Sequence, residues 1–115
     1  MLPLEVDMAL YEFDKSGGIP RQILSTEKKV QRIMEIVEKI VEGTKTGPDW
    51  VRRAGNNFSK KMRDHARQED LKSMVEYCSR LADGRAGKDV GEWLRNRGLP
   101  SVESEIDKIK RICED

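Results

Sequence analysis

Residues 25–43 read STEKKVQRIMEIVEKIVEG, and this stretch decides the fold. Val30, Ile33, Met34, Val37, Ile40 and Val41 recur at steps of three and four, which places them on one face of an α-helix, and Ile36 widens that stripe. Lys28, Lys29, Arg32, Glu35, Lys39 and Glu42 fall mostly outside it. Glu35 stands four residues before Lys39, the favourable order for an ion pair on a solvated face. Ser25 suits an N-cap and Gly43 the position just past a helix end, so the spacing predicts a helix over 26–42. Two heptads of apolar positions are too few for a coiled coil. The stripe therefore needs other helices to cover it.

Those helices follow in the sequence. After a loop from Gly43 to Gly47, Pro48 suits a first helical turn, and Trp50, Ala54, Phe58, Met62 and Ala66 step by four. A strict four-residue step drifts around a straight helix. The Gly55-Asn56-Asn57 triplet has poor helix propensity and is a point where the element can break, with Asn56 or Asn57 capping a second piece. Leu71, Met74, Val75, Cys78, Leu81 and Ala82 mark the next helix, with Gly84 placed to end it. A shorter one is expected over about 89–97, offering Val90, Trp93 and Leu94 before Gly98. Pro100 and Ser101 open the last, whose inward stripe is Val102, Ile106, Ile109 and Cys113.

Composition agrees with this reading. The chain has 115 residues, 37% hydrophobic and 37% charged. That charge is well above the usual quarter and favours narrow apolar stripes between solvated faces over a thick α/β core. Two Phe, two Tyr and two Trp are few for a β-sandwich. The expected fold is all-α: a compact bundle of about five short amphipathic helices, one domain over 20–115, preceded by an arm and turn over 1–19. Leu2, Leu4, Val6 and Met8 alternate with Pro3, Glu5 and Asp7 in a period of two, and no second stretch alternates this way. The segment therefore reads as an arm packed on the helices, a partner for another chain's edge, or the start of a short helix through Ala9, Leu10, Tyr11 and Phe13. Asp14-Lys15-Ser16-Gly17-Gly18 then punctuates as a turn. Leu2, Leu4, Val6, Leu10 and Phe13 carry too much apolar surface for an inert tail and form the expected association surface, leaving room for a homo-oligomer.

No apolar run approaches the roughly 18 residues of a membrane span. The opening MLPLEVDMAL lacks the basic start and apolar stretch of a signal peptide, so the expectation is a soluble, intracellular protein with no membrane partner. Cys78 and Cys113 are isolated in the sequence, so neither a disulfide framework nor a cysteine zinc cluster can be built, and both lie on apolar stripes, where a thiol is ordinarily inert packing. His65 is the single histidine. Asp64, His65, Glu69 and Asp70 form the one carboxylate and imidazole cluster, and two ligands on a turn do not make a metal site. Gly84-Arg85-Ala86-Gly87-Lys88-Asp89 fails as a phosphate loop, because Ala82 stands where the first glycine belongs and Asp89 where a Ser or Thr would hold magnesium. A non-enzymatic protein with no cofactor and no metal is expected.

Charge distribution carries the functional signal. Residues 49–67 hold Arg52, Arg53, Lys60, Lys61, Arg63 and Arg67 against Asp49 and Asp64, a net of +4, while 1–48 come to −1 and 68–115 to −2. At helical spacing Arg53, Lys60, Lys61 and Asp64 can share a face away from Phe58 and Met62, and Asn56 and Asn57 add neutral donors. These eight residues, the six cations and the two asparagines, are the expected contact surface for an anionic partner. The expectation is a helical binding module, an assembly subunit or adaptor, meeting an acidic protein surface. The alternative is a small RNA- or DNA-binding protein that grips phosphates through the same element.

Overall fold

The computed structural model describes the backbone of residues 11–13 and 20–22 and the whole of residues 24–114. Tyr11–Phe13 (β1) pairs antiparallel with Pro20–Gln22 (β2), Glu12 opposite Arg21. Five helices follow: α1 (Thr26–Thr44), α2 (Asp49–Arg67), α3 (Leu71–Asp83), α4 (Arg85–Arg95) and α5 (Val102–Glu114). They form the expected all-α bundle. The most extensive contacts join α1 to α2 and α3 to α5, and α5 also packs along α1. Val30, Ile33, Val37 and Ile40 of α1 meet Phe58, Met62, Met74, Cys78, Leu94 and Ile109 in one core.

Caps explain most of the boundaries. Ser25 is extended, and its Oγ accepts the Lys28 amide at 3.3 Å. Asp70 does the same for the Ser73 amide at 3.1 Å and also takes the Ser73 hydroxyl at 2.6 Å. At α5 the buried Ser101 and the exposed Ser104 cap reciprocally: Ser104 N–H donates to Ser101 Oγ (3.3 Å) and Ser101 N–H to Ser104 Oγ (3.0 Å). Gly84 both ends α3 and begins α4, its amide donating to Arg80 O and its carbonyl accepting from Lys88. The fourth helix thus starts at Arg85, one turn before the expected 89. It stops in a Schellman turn, with Gly98 at φ 71° and Leu99 N–H reaching Leu94 O at 2.9 Å.

Two glycines read as stops lie inside helices. Helix α1 continues through Gly43 to Thr44, because Gly43 is where the end of α4 seats. A Cβ at Gly43 would stand 3.1 Å from Leu94 Cδ2 and 3.3 Å from Leu99 Cδ1. Helix α2 is likewise unbroken across Gly55-Asn56-Asn57, and Gly55 is buried against Thr44. The inward face of α2 is Val51, Gly55, Phe58 and Met62. Trp50, assigned to that face by its four-residue step, is instead 48% exposed.

The turn after α2 repeats the Schellman pattern with the wrong residue. Asp70 N–H donates to His65 O and Glu69 N–H to Ala66 O, which puts Glu69 at φ 51°. A side chain with a Cβ is disfavoured in that left-handed region by about 1–2 kcal/mol. Glu69→Gly should therefore stabilise the fold by about 0.5–1 kcal/mol, after the added freedom of the unfolded chain is subtracted. A higher urea midpoint at unchanged slope is the expected reading, and a midpoint that falls would show that the turn is held by the Glu69 side chain.

Candidate interaction surfaces

With about 100° between successive residues, the core residues of α2 fix where its other side chains point. Arg53, Asn56, Asn57, Lys60 and Arg67 fall opposite Val51, Gly55, Phe58 and Met62, Arg52 and Arg63 lie toward one flank, and Lys61 lies on the other. All six basic residues and both asparagines are exposed. The patch is not uniformly charged. Asp49 in the first turn pairs with Arg53 at 2.6 Å and Arg52 at 3.5 Å, and Asp64 pairs with Arg67. Arg63 Nε donates to the carbonyl of Ser59 at 3.4 Å. Among the described residues, no carboxylate lies within salt-bridge distance of Lys60, Lys61 or Arg63. The two ends of the basic helix are thus locally neutralised, and its middle is not. Exposed pairs of this kind contribute little to stability; their effect is on where the positive potential remains.

The carboxylate and imidazole cluster disperses into local structure. Asp64 faces Arg67. Asp70 is committed to the α3 cap, where the Ser73 hydroxyl and then its amide hold the carboxyl below its ordinary range, with smaller help from His65 and Lys72. As pH falls through that lowered value the cap is lost, so acid should fray the start of α3. The half-buried His65 ring lies 6.3 Å from that of Tyr77. Among the described residues no three His, Cys, Asp or Glu side chains are placed to share a metal ion. Cys78 is fully buried, and Cys113 is half-buried.

Two concave surfaces have no signal in the sequence, because each is assembled from several helices. One is an apolar cavity of about 240 Å³ lined by residues such as Ile40, Phe58, Leu81, Leu94 and Val102, with Gly55, Gly87 and Gly91 leaving room between them. Tyr77, whose hydroxyl burial pushes above its ordinary pKa, is the one ionisable side chain in its lining among the described residues. The other lies between the first turn of α2 and α4, where Trp50 and Trp93 meet Asp89, Glu92 and Asn96.

Leu2, Leu4, Val6 and Leu10 of the expected association surface lie outside the described residues, and so does the side chain of Phe13. No helix among the described residues is long and apolar enough to cross a membrane. Comparison with protein-family models, with curated proteins and with solved structures returns no match to this chain.

Proposed function

We propose that the protein is a non-enzymatic helical binding module, an assembly subunit or adaptor, that engages an anionic partner through the middle of α2. The observation that supports this reading is the exposed trio Lys60, Lys61 and Arg63. These cations lie within little more than a turn and have no carboxylate partner among the described residues, while Arg52, Arg53 and Arg67 are paired. A localised positive surface on a molecule of formal net charge +1 orients an approaching acidic partner more than it attracts anions at large. An acidic protein surface is the first reading. Nucleic acid is the second, favoured by Asn56, which lies beside Lys60 and Arg63 around the helix and can donate to phosphate or base edges.

Substituting alanine for Lys60, Lys61 and Arg63 together separates these readings. For an acidic protein the loss should appear as association slowed about tenfold at low salt, with little change at high salt. For nucleic acid, binding to all sequences should weaken alike, and the salt slope should flatten by roughly one unit for each lost contact. The triple variant should melt as the parent does, since all three side chains are exposed. A variant that keeps every interaction of the parent would leave the trio a solvated face and end the proposal.

A further inference from the structure

Both tryptophans of the chain arrive at one surface cleft. Trp50 comes from the first turn of α2 and Trp93 from the last turns of α4, and with Asp89, Glu92 and Asn96 they line an open cleft of about 410 Å³. Trp50 is the one large hydrophobic side chain left exposed among the described residues. The loop between α1 and α2 builds this meeting. Gly47 is buried, and a Cβ there would stand 2.7 Å from Val51 Cγ1 and 3.1 Å from Trp93 Cη2. Glycine at 47 therefore lets the Trp93 ring lie against the loop that leads into Trp50.

The chemistry of the lining is one-sided. Among the described residues it offers two indoles, two carboxylates and an amide, and no basic side chain. Among the described residues, no Lys or Arg lies within salt-bridge distance of Asp89 or Glu92. Indole faces attract cations through their quadrupole, and guanidinium groups both stack on such rings and match carboxylates in plane. Trp93 already shows this affinity, since the Arg97 guanidinium sits 4.0 Å from its ring centroid while Arg97 itself does not line the cleft. We infer that the Trp50–Trp93 cleft receives an arginine side chain carried by an extended basic segment of a partner protein. This surface is distinct from the Lys60, Lys61 and Arg63 trio and of opposite charge preference. A molecule carrying both joins an acidic surface to a basic segment.

The two indole Nε1–H signals of the 115-residue chain give a direct readout, because only Trp50 and Trp93 contribute them. In titrations with a glycine-flanked arginine peptide both signals should shift saturably. The same peptide with citrulline, which keeps the shape and removes the charge, should leave them in place. Trp50→Ala should weaken the arginine peptide by about fivefold or more, the scale of one cation–π contact. Asp89→Asn with Glu92→Gln, at exposed positions where folding is not at stake, should do the same and remove the salt dependence. Equal shifts with citrulline, indole signals that stay unmoved by the arginine peptide, or unaltered binding by the carboxylate variant would each overturn the assignment.

Discussion

Gly55→Ala is expected to destabilise the protein by about 2 kcal/mol, although the same change in an exposed helix would stabilise it by about 1 kcal/mol. The added Cβ would stand 2.0 Å from Thr44 Oγ1 and 2.8 Å from Thr44 Cβ, distances that no side-chain adjustment at Gly55 can relieve. Thr44 cannot turn away freely. It is 2% exposed, and its Oγ1 donates to the Val41 carbonyl at 2.6 Å. Helices α1 and α2 must therefore separate along their most extensive contact, and overpacking of this kind costs about 1–3 kcal/mol before the core losses that follow. Thr44→Ala removes the hydroxyl and the methyl but leaves the Cβ contact. The double variant should accordingly be more stable than the sum of the two single changes predicts. Urea midpoints of the four proteins give the test. A Gly55→Ala protein as stable as the parent would mean that α1 and α2 do not approach this closely.

That glycine also marks the border between what the sequence displays and what it conceals. The helices are legible because a 3.6-residue period needs only local information, and Val30 to Val41 carry it without ambiguity. The solvent side of α2 is legible for the same reason, since Arg53 and Lys60 fall opposite Phe58 and Met62. The pairing of Asp49 with Arg53 follows from their four-residue spacing. Gly43 and Gly55 are misread as breakers because a glycine's role depends on what packs against it. Here the answers are Leu94 and Leu99 in one case and Thr44 in the other, one of them half the chain away. Trp50 is misplaced by a related error. A step of four from Trp50 drifts off the core face that Val51, Gly55, Phe58 and Met62 define with mixed steps of four and three. The Trp50–Trp93 cleft is not legible at all, because Asp89 and Glu92 look like an ordinary acidic face until α4 is laid beside the start of α2.

Cys78 should set much of the protein's alkaline limit. Its thiol is fully buried with Sγ 3.8 Å from Met62 Sδ, and burial, with a smaller contribution from Cys113, pushes its pKa from 9.0 to about 12. A thiol whose pKa is raised by folding contributes its stability while both states keep the proton. That contribution is lost as pH rises, because the unfolded chain ionises near 9 and the folded one does not until about 12. Over that window stability should fall by about 1.4 kcal/mol per pH unit from this group. In Cys78→Ala the slope should be shallower by that amount, and Tyr77, also raised, remains to bend the curve in both proteins. The same burial predicts that Cys78 resists thiol reagents in the native protein, leaving the half-buried Cys113 to react first. Met62→Ala tests the packing directly. It should cost about 2–5 kcal/mol by opening a cavity beside the sulfur, and it should make Cys78 labelling faster than in the parent. Parallel alkaline slopes for the parent and Cys78→Ala, or native labelling of Cys78 as fast as that of Cys113, would show that the thiol is not held in the core between α2 and α3.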